Sequence, residues 1–127
     1  MPATSPEQLD HLFAAALNAG DIDALMALYE PQASLTPSPG TTVLGATAIR
    51  AALSGFLAAK PTMRMASVRV VSQAGDLALV TAKWELALTG QDGTPTQMSG
   101  QSVEIVRRQT GGQWLFAIDE PFGVGAA

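Results

Sequence analysis

Two adjacent acids, Asp119 and Glu120, close the last β-patterned stretch of the chain, and a single histidine, His11, stands near its start. These three are the side chains best suited to move a proton. A carboxyl held in apolar surroundings keeps its proton toward neutral pH and then suits general acid–base work. His11 alone has an ordinary pKa near neutrality. It lies one residue off the stripe Leu9, Leu12, Phe13 and Leu17, however, nearer the solvated flank of a helix. Asp119 alternates away from Trp114, Phe116 and Ile118 only approximately, because the strand is ending there. One of Asp119 and Glu120 is therefore expected to enter an interior space, and the spacing leaves open which one. The plainer alternative has Asp119 holding the turn before Pro121.

Candidate donors are few. Tyr29 is the only tyrosine, placed by periodicity on the apolar side of a second helix. Gln101 shares a strand face with Val103 and Ile105 and is the preferred neutral hydrogen-bonding group; Glu104 stands on the opposite face, so at most one of the two looks inward. Trp84, between Lys83 and Glu85, points away from both and reads either as a core or interface aromatic or as a wall that stacks on a planar ligand. Arg50 is expected to pair with Glu30 or Asp23.

The elements that must position these residues fall into two halves. Ser5 and Pro6 are placed to start a first helix, with Gln8 reaching back to the cap, and Gly20 stops it. Asp21 caps a second helix carrying Ile22, Leu25, Leu28 and Tyr29, which Pro31 ends. A short strand, Ala33 to Thr36, runs into a rigid Pro37-Ser38-Pro39-Gly40 turn or loop, and a third helix follows Gly45 with Ile49, Leu53, Phe56 and Leu57 on one face. From Met63 the apolar period changes to two, and a meander of four long strands runs to Asp119. The fold class is α+β: three N-terminal helices packed on one side of a strongly bent sheet.

At 127 residues one domain is expected. There is no cysteine, and one histidine cannot build a multi-histidine metal site, so neither a metal nor a cofactor is expected. Charged residues make up 14% against 47% hydrophobic, a balance that fits apolar area hidden in a cavity or between subunits. The net charge of −4 and the scattered arginines argue against nucleic acid as a partner. The N-terminal residues lack signal-peptide character, and no stretch approaches the roughly 18 apolar residues of a membrane span, so a cytoplasmic location without membrane contact is expected.

The hinge Leu17-Asn18-Ala19-Gly20-Asp21-Ile22-Asp23-Ala24-Leu25, the helix entry Gly45-Ala46-Thr47-Ala48-Ile49-Arg50 and the closing Trp114 to Gly123 segment, in that order, resemble the nuclear transport factor 2-like superfamily. More narrowly, they look like its SnoaL-like and ketosteroid isomerase-like bacterial branch, over residues 6 to 123. The resemblance implies a cone open at one end to a small, mostly apolar molecule, and a homodimer formed through the convex side of the sheet. It also places Phe13 where ketosteroid isomerase has its oxyanion tyrosine, Pro37 where it has its general base, and Gln101 or Ser102 near its protonated aspartate. Neither phenylalanine nor proline can do those jobs, so the isomerase mechanism does not transfer. Phe13, Tyr29, Pro37, Trp84, Gln101 and Phe116 are the expected ligand contacts. The expected function is the binding of a small hydrophobic metabolite. Two alternatives stand beside it: a cofactor-independent isomerase, lyase or hydrolase acting on a small cyclic or polyketide-like substrate, and a homodimeric interaction domain with a vestigial pocket.

Overall fold

In the computed structural model, which describes residues 2–90 and 92–124, the chain makes two turns before its first helix. The Gln8 amide bonds to the Ser5 carbonyl and that of Leu9 to Pro6, so α1 runs Gln8–Ala19, two residues later than the Ser5-Pro6 start. The Gln8 side chain does reach back, but to Thr4, whose amide donates to Oε1 at 2.6 Å. Gly20 ends α1 with φ 66°, and the Gly20 and Asp21 amides close onto Leu17 and Ala16. Asp21 then caps α2 (Ile22–Met26) by accepting from the Ala24 amide at 3.0 Å.

The second helix stops sooner than its apolar repeat predicts. Pro31 disfavours helical backbone at Glu30, and the chain extends from Tyr29 as β1 (Tyr29–Ser38). Tyr29 is thus a strand residue, not a helical one. The Pro37 to Gly40 segment is likewise only partly a loop: β1 continues through Pro37, where the pairing is irregular, turns at Pro39-Gly40 and returns as β2 (Thr41–Leu44). After α3 (Ala46–Leu57) come β3 (Thr62–Ala74), β4 (Leu77–Thr89), β5 (Pro95–Arg108) and β6 (Trp114–Glu120).

Six strands, two more than the meander, form one curved, unclosed sheet in the order β2-β1-β6-β5-β4-β3. Every neighbouring pair is antiparallel except β1 and β6. Helix α1 packs on β3 and β6 and α3 on β1 and β2, so both cover the concave side. Asn18 fixes α1 to the start of β3 with two bonds, donating to the Met63 carbonyl at 2.9 Å and accepting from its amide at 2.7 Å. The core between helices and sheet centres on Leu9, Leu17, Leu25, Ile49, Val80 and Phe116. Among the described residues no helix is long and apolar enough to cross a membrane.

One irregularity decides the chemistry of the last strand. Val106 pairs with Phe116 and Ile105 with Ile118, leaving Ala117 as an extra residue in β6. Such a bulge shifts the side-chain alternation by one. Trp114 and Phe116 point inward before it; after it Ile118 turns out, 40% exposed, and Asp119 turns in, 4% exposed.

Candidate active site

Between α1, α3 and the concave side of the sheet lies a cavity of about 580 Å³. Its walls are apolar: Phe13 from α1, Leu53 and Phe56 from α3, Met63 and Met65 from β3, Trp84 and Leu86 from β4, with Leu35 and Pro37 from β1. Phe13 stands edge-on to Phe116 with ring centres 6.3 Å apart, and Trp84 edge-on to Phe122 at 5.8 Å. The Trp84 indole donates to the Pro121 carbonyl at 2.7 Å and lies over Gly100, its partner on β5. A Cβ on Gly100 would fall 2.5 Å from the indole, so only glycine leaves room for this wall.

Against these walls three carboxyls meet. Asp10 comes from α1, Glu104 from β5 and Asp119 from β6, and Glu104 and Asp119 are direct cross-strand partners on the inward face. All three are buried. The Tyr29 hydroxyl, behind the cavity wall, donates to Asp119 Oδ2 at 2.5 Å, while its ring packs on Phe116 at 5.1 Å.

Burial dominates the proton affinities. Asp119 is pushed up to about 7: loss of solvent raises it, the Tyr29 hydrogen bond pulls it back, and the charges of Asp10 and Glu120 raise it again. Glu104 is pushed up to about 11 by burial and then by the neighbouring Asp10, with which it shares a hydrogen bond, and by Asp119; Ser102 offsets a part. Asp10 is raised by burial, offset in part by its bond to Glu104 and by His11. Tyr29 is held well above its ordinary value by burial and by Asp119, so its hydroxyl stays a donor. Near neutral pH the site therefore offers a carboxyl that exchanges its proton readily, Asp119, facing one that keeps it, Glu104. One can accept a proton while the other donates. Among the described residues no group of three or more His, Cys, Asp and Glu is arranged to hold a metal ion.

The structure sorts the sequence candidates. Phe13, Pro37, Trp84, Phe116 and Asp119 line the cavity, and Tyr29 touches it through Asp119. Of the two adjacent acids, Asp119 enters; Glu120 is turned to β1, where Thr36 donates to its Oε1 at 2.9 Å. His11 is exposed on the outer flank of α1 and is not a base for this cavity. Gln101 is also misplaced: it lies exposed on the convex face, donating to Thr81 Oγ1 at 3.1 Å, because the inward set of β5 is Ser102, Glu104 and Val106. Sequence reasoning missed Asp10 altogether and assigned Glu104 no role. Asp10 sits three residues before Phe13 and seven before Leu17, a spacing that already puts it on their side of the helix.

Comparison with known proteins agrees with this architecture. A family model described as a SnoaL-like domain matches residues 10–116. No match was found among curated proteins. Among solved structures, an NTF2-like superfamily protein from Salmonella enterica serovar Typhimurium superposes with a TM-score of 0.79 at 14% identity, covering 95% of this chain and 92% of the other. A ketosteroid isomerase-like protein from Erwinia carotovora atroseptica gives 0.75 at 22% identity, covering 89% and 88%. A protein provisionally named a dehydratase of the NTF2-like family, from Streptomyces avermitilis, gives 0.76 at 19% identity over 88% of each chain. At these identities the structures share the fold, and the match of the family model over most of the chain goes further: this protein belongs to the SnoaL-like domain family.

Proposed function

We propose that the cone binds a small, mainly apolar molecule and that Asp119 moves a proton on it, making the protein a cofactor-independent isomerase or lyase. The observation that carries this reading is the Tyr29–Asp119 pair at the wall of a 580 Å³ apolar cavity, with Glu104 directly across. An acid with a pKa near 7 works as a base and then as an acid at neutral pH. The provisional dehydratase name of one structural neighbour is in keeping with it. A second copy of the chain is assigned to the convex face, where Leu79, Ile105 and Ile118 are consecutive cross-strand neighbours and none is fully buried.

The test uses a panel of one- and two-ring ketones, alcohols and amines. Saturable binding is read by thermal shift, and proton transfer by deuterium wash-in at the α-carbon of 2-tetralone followed by NMR. Asp119→Asn is expected to bind as the parent does while losing wash-in about 100-fold or more. Wash-in untouched by that substitution rejects Asp119 as the acting group, and absence of saturable binding across the panel rejects the cavity as a binding site. Light scattering tests the dimer, and a monomer at micromolar concentration rejects it.

A further inference from the structure

The distribution of charge around the cavity is one-sided. All seven lysines and arginines and the single histidine are solvent-exposed, and none lines the cavity. The elements α3, β3 and β4 contribute only apolar side chains to the cavity; its ionisable groups are Asp10, Glu104 and Asp119, with Tyr29 behind the last. Asp119 has a donor in Tyr29. Asp10 Oδ2 and Glu104 Oε1, on side chains 4% and 1% exposed, have no hydrogen-bond partner among the described residues, although the two carboxyls share a proton and the Ser102 hydroxyl lies beside Glu104.

The oxygens left over when the two carboxyls share a proton only accept, so an occupant that satisfies them must bring hydrogens. An anionic ligand brings none and meets three acids with no countercharge. An alcohol brings one; a primary ammonium brings three, together with the charge that lets the acids ionise. The aromatic rings of Phe13, Trp84, Phe116 and Phe122 line the same space, and aromatic surroundings favour a cation. The net charge of −4 favours its approach.

We infer that the ligand of this cavity is a hydrophobic amine, its ammonium seated against Asp10 and Glu104 and its apolar body against the aromatic walls. This rests on the proposed use of the cavity and names the class of molecule it takes. In the empty site the acids hold protons; an ammonium expels them. Binding therefore releases protons to solvent and tightens as pH rises from 5 to 8, below the ordinary range of alkylammonium ionisation near 10. A neutral ligand shows neither behaviour.

Isothermal titration calorimetry with 2-naphthylmethylamine, 2-naphthylmethanol and 2-naphthoate, in buffers of differing ionisation enthalpy, separates the cases with one ring system. The expected result is amine binding about 10- to 100-fold tighter than alcohol at pH 7.5, with proton release, and no binding of the naphthoate. Glu104→Gln and Asp10→Asn, checked for folding by their melting transitions, are each expected to reduce the amine-to-alcohol ratio toward one while alcohol binding persists. Alcohol binding as tight as amine, amine binding without proton release, or tight naphthoate binding overturns the amine class and leaves the cavity reading intact. If none of the three binds, both fall.

Discussion

The exposed surface and the interior of the fold handle their acids in opposite ways. On the outside, acids find arginines: Asp23 meets Arg50 at 2.7 Å, Glu30 meets Arg107 at 3.0 Å, Asp76 pairs with Arg108, and Glu85 lies 3.7 Å from Arg64. On the inside, Asp10, Glu104 and Asp119 find one another and Tyr29. Outer pairs sit in water, which screens them, and contribute little. The inner acids sit where an ionised form is costly, so they govern how the fold responds to pH. The concave face thus carries a standing cost that packing alone would not require, as expected of a site kept for chemistry or binding.

This contrast can be broken at several points. The largest effect is expected from Glu104→Gln. Glu104 holds its proton in the fold to about 11, against an ordinary value of 4.5. Its contribution is fully present below about 4.5 and is lost as pH rises, because the unfolded chain releases a proton that the fold must keep. The substitution should therefore raise the unfolding free energy by about 2–4 kcal/mol at pH 8 and leave it nearly unchanged at pH 4.5. Urea melts at the two pH values check this, and equal effects at both would break the contrast.

Gly100→Ala comes next, at about 1–3 kcal/mol of destabilisation, since its Cβ collides with the Trp84 ring. Quenching or shift of tryptophan fluorescence should accompany the loss. A neutral outcome would mean that the concave wall yields as readily as the outer face.

Tyr29→Phe removes the only side-chain donor to Asp119 that the structure shows and should move the Asp119 midpoint upward from about 7 by about one pH unit, a change of about 1.4 kcal/mol. Carbon-detected NMR titration of the carboxyl reads it directly; a downward move would contradict the assigned donor. The smallest effect belongs to the exposed surface: Arg50→Ala should cost no more than about 1 kcal/mol, with no trend between pH 5 and 8, by the same urea melts.

The α+β class, the hinge at Gly20-Asp21 and the order of the long strands were legible because each rests on a local rule: a left-handed glycine, a capping aspartate, a change of apolar period. Where two rules competed, legibility failed. Tyr29 continued the helical stripe, but Pro31 acting on Glu30 overrode the stripe and made it a strand residue. On β5 the outward residues Val103 and Ile105 are as apolar as any interior pair, so hydrophobicity chose the wrong face and Gln101 with it. Asp10 was hidden by its neighbours: a lone acid between Leu9 and the Leu12-Phe13 pair reads as a solvated flank unless the fold is known to leave space beneath it. Asp119 could not be told from Glu120 because alternation counted from Trp114 fails at Ala117.

That single unpaired alanine gives the site an unusual genetic footing. Deleting its codon would set Phe116 and Ile118 side by side on the consecutive partners Val106 and Ile105, so the strand would regain strict alternation with Asp119 still opposite Glu104 and facing inward. Keeping the alanine but pairing it regularly with β5 would do the opposite, turning Glu120, one methylene longer, toward the cavity and Asp119 away from it. In this strand the reactive group is specified by the pairing register as much as by residue identity, so the site tolerates the loss of one residue at the bulge, while a one-residue slip, invisible to any inventory of side chains, is a route by which a relative could change its chemistry.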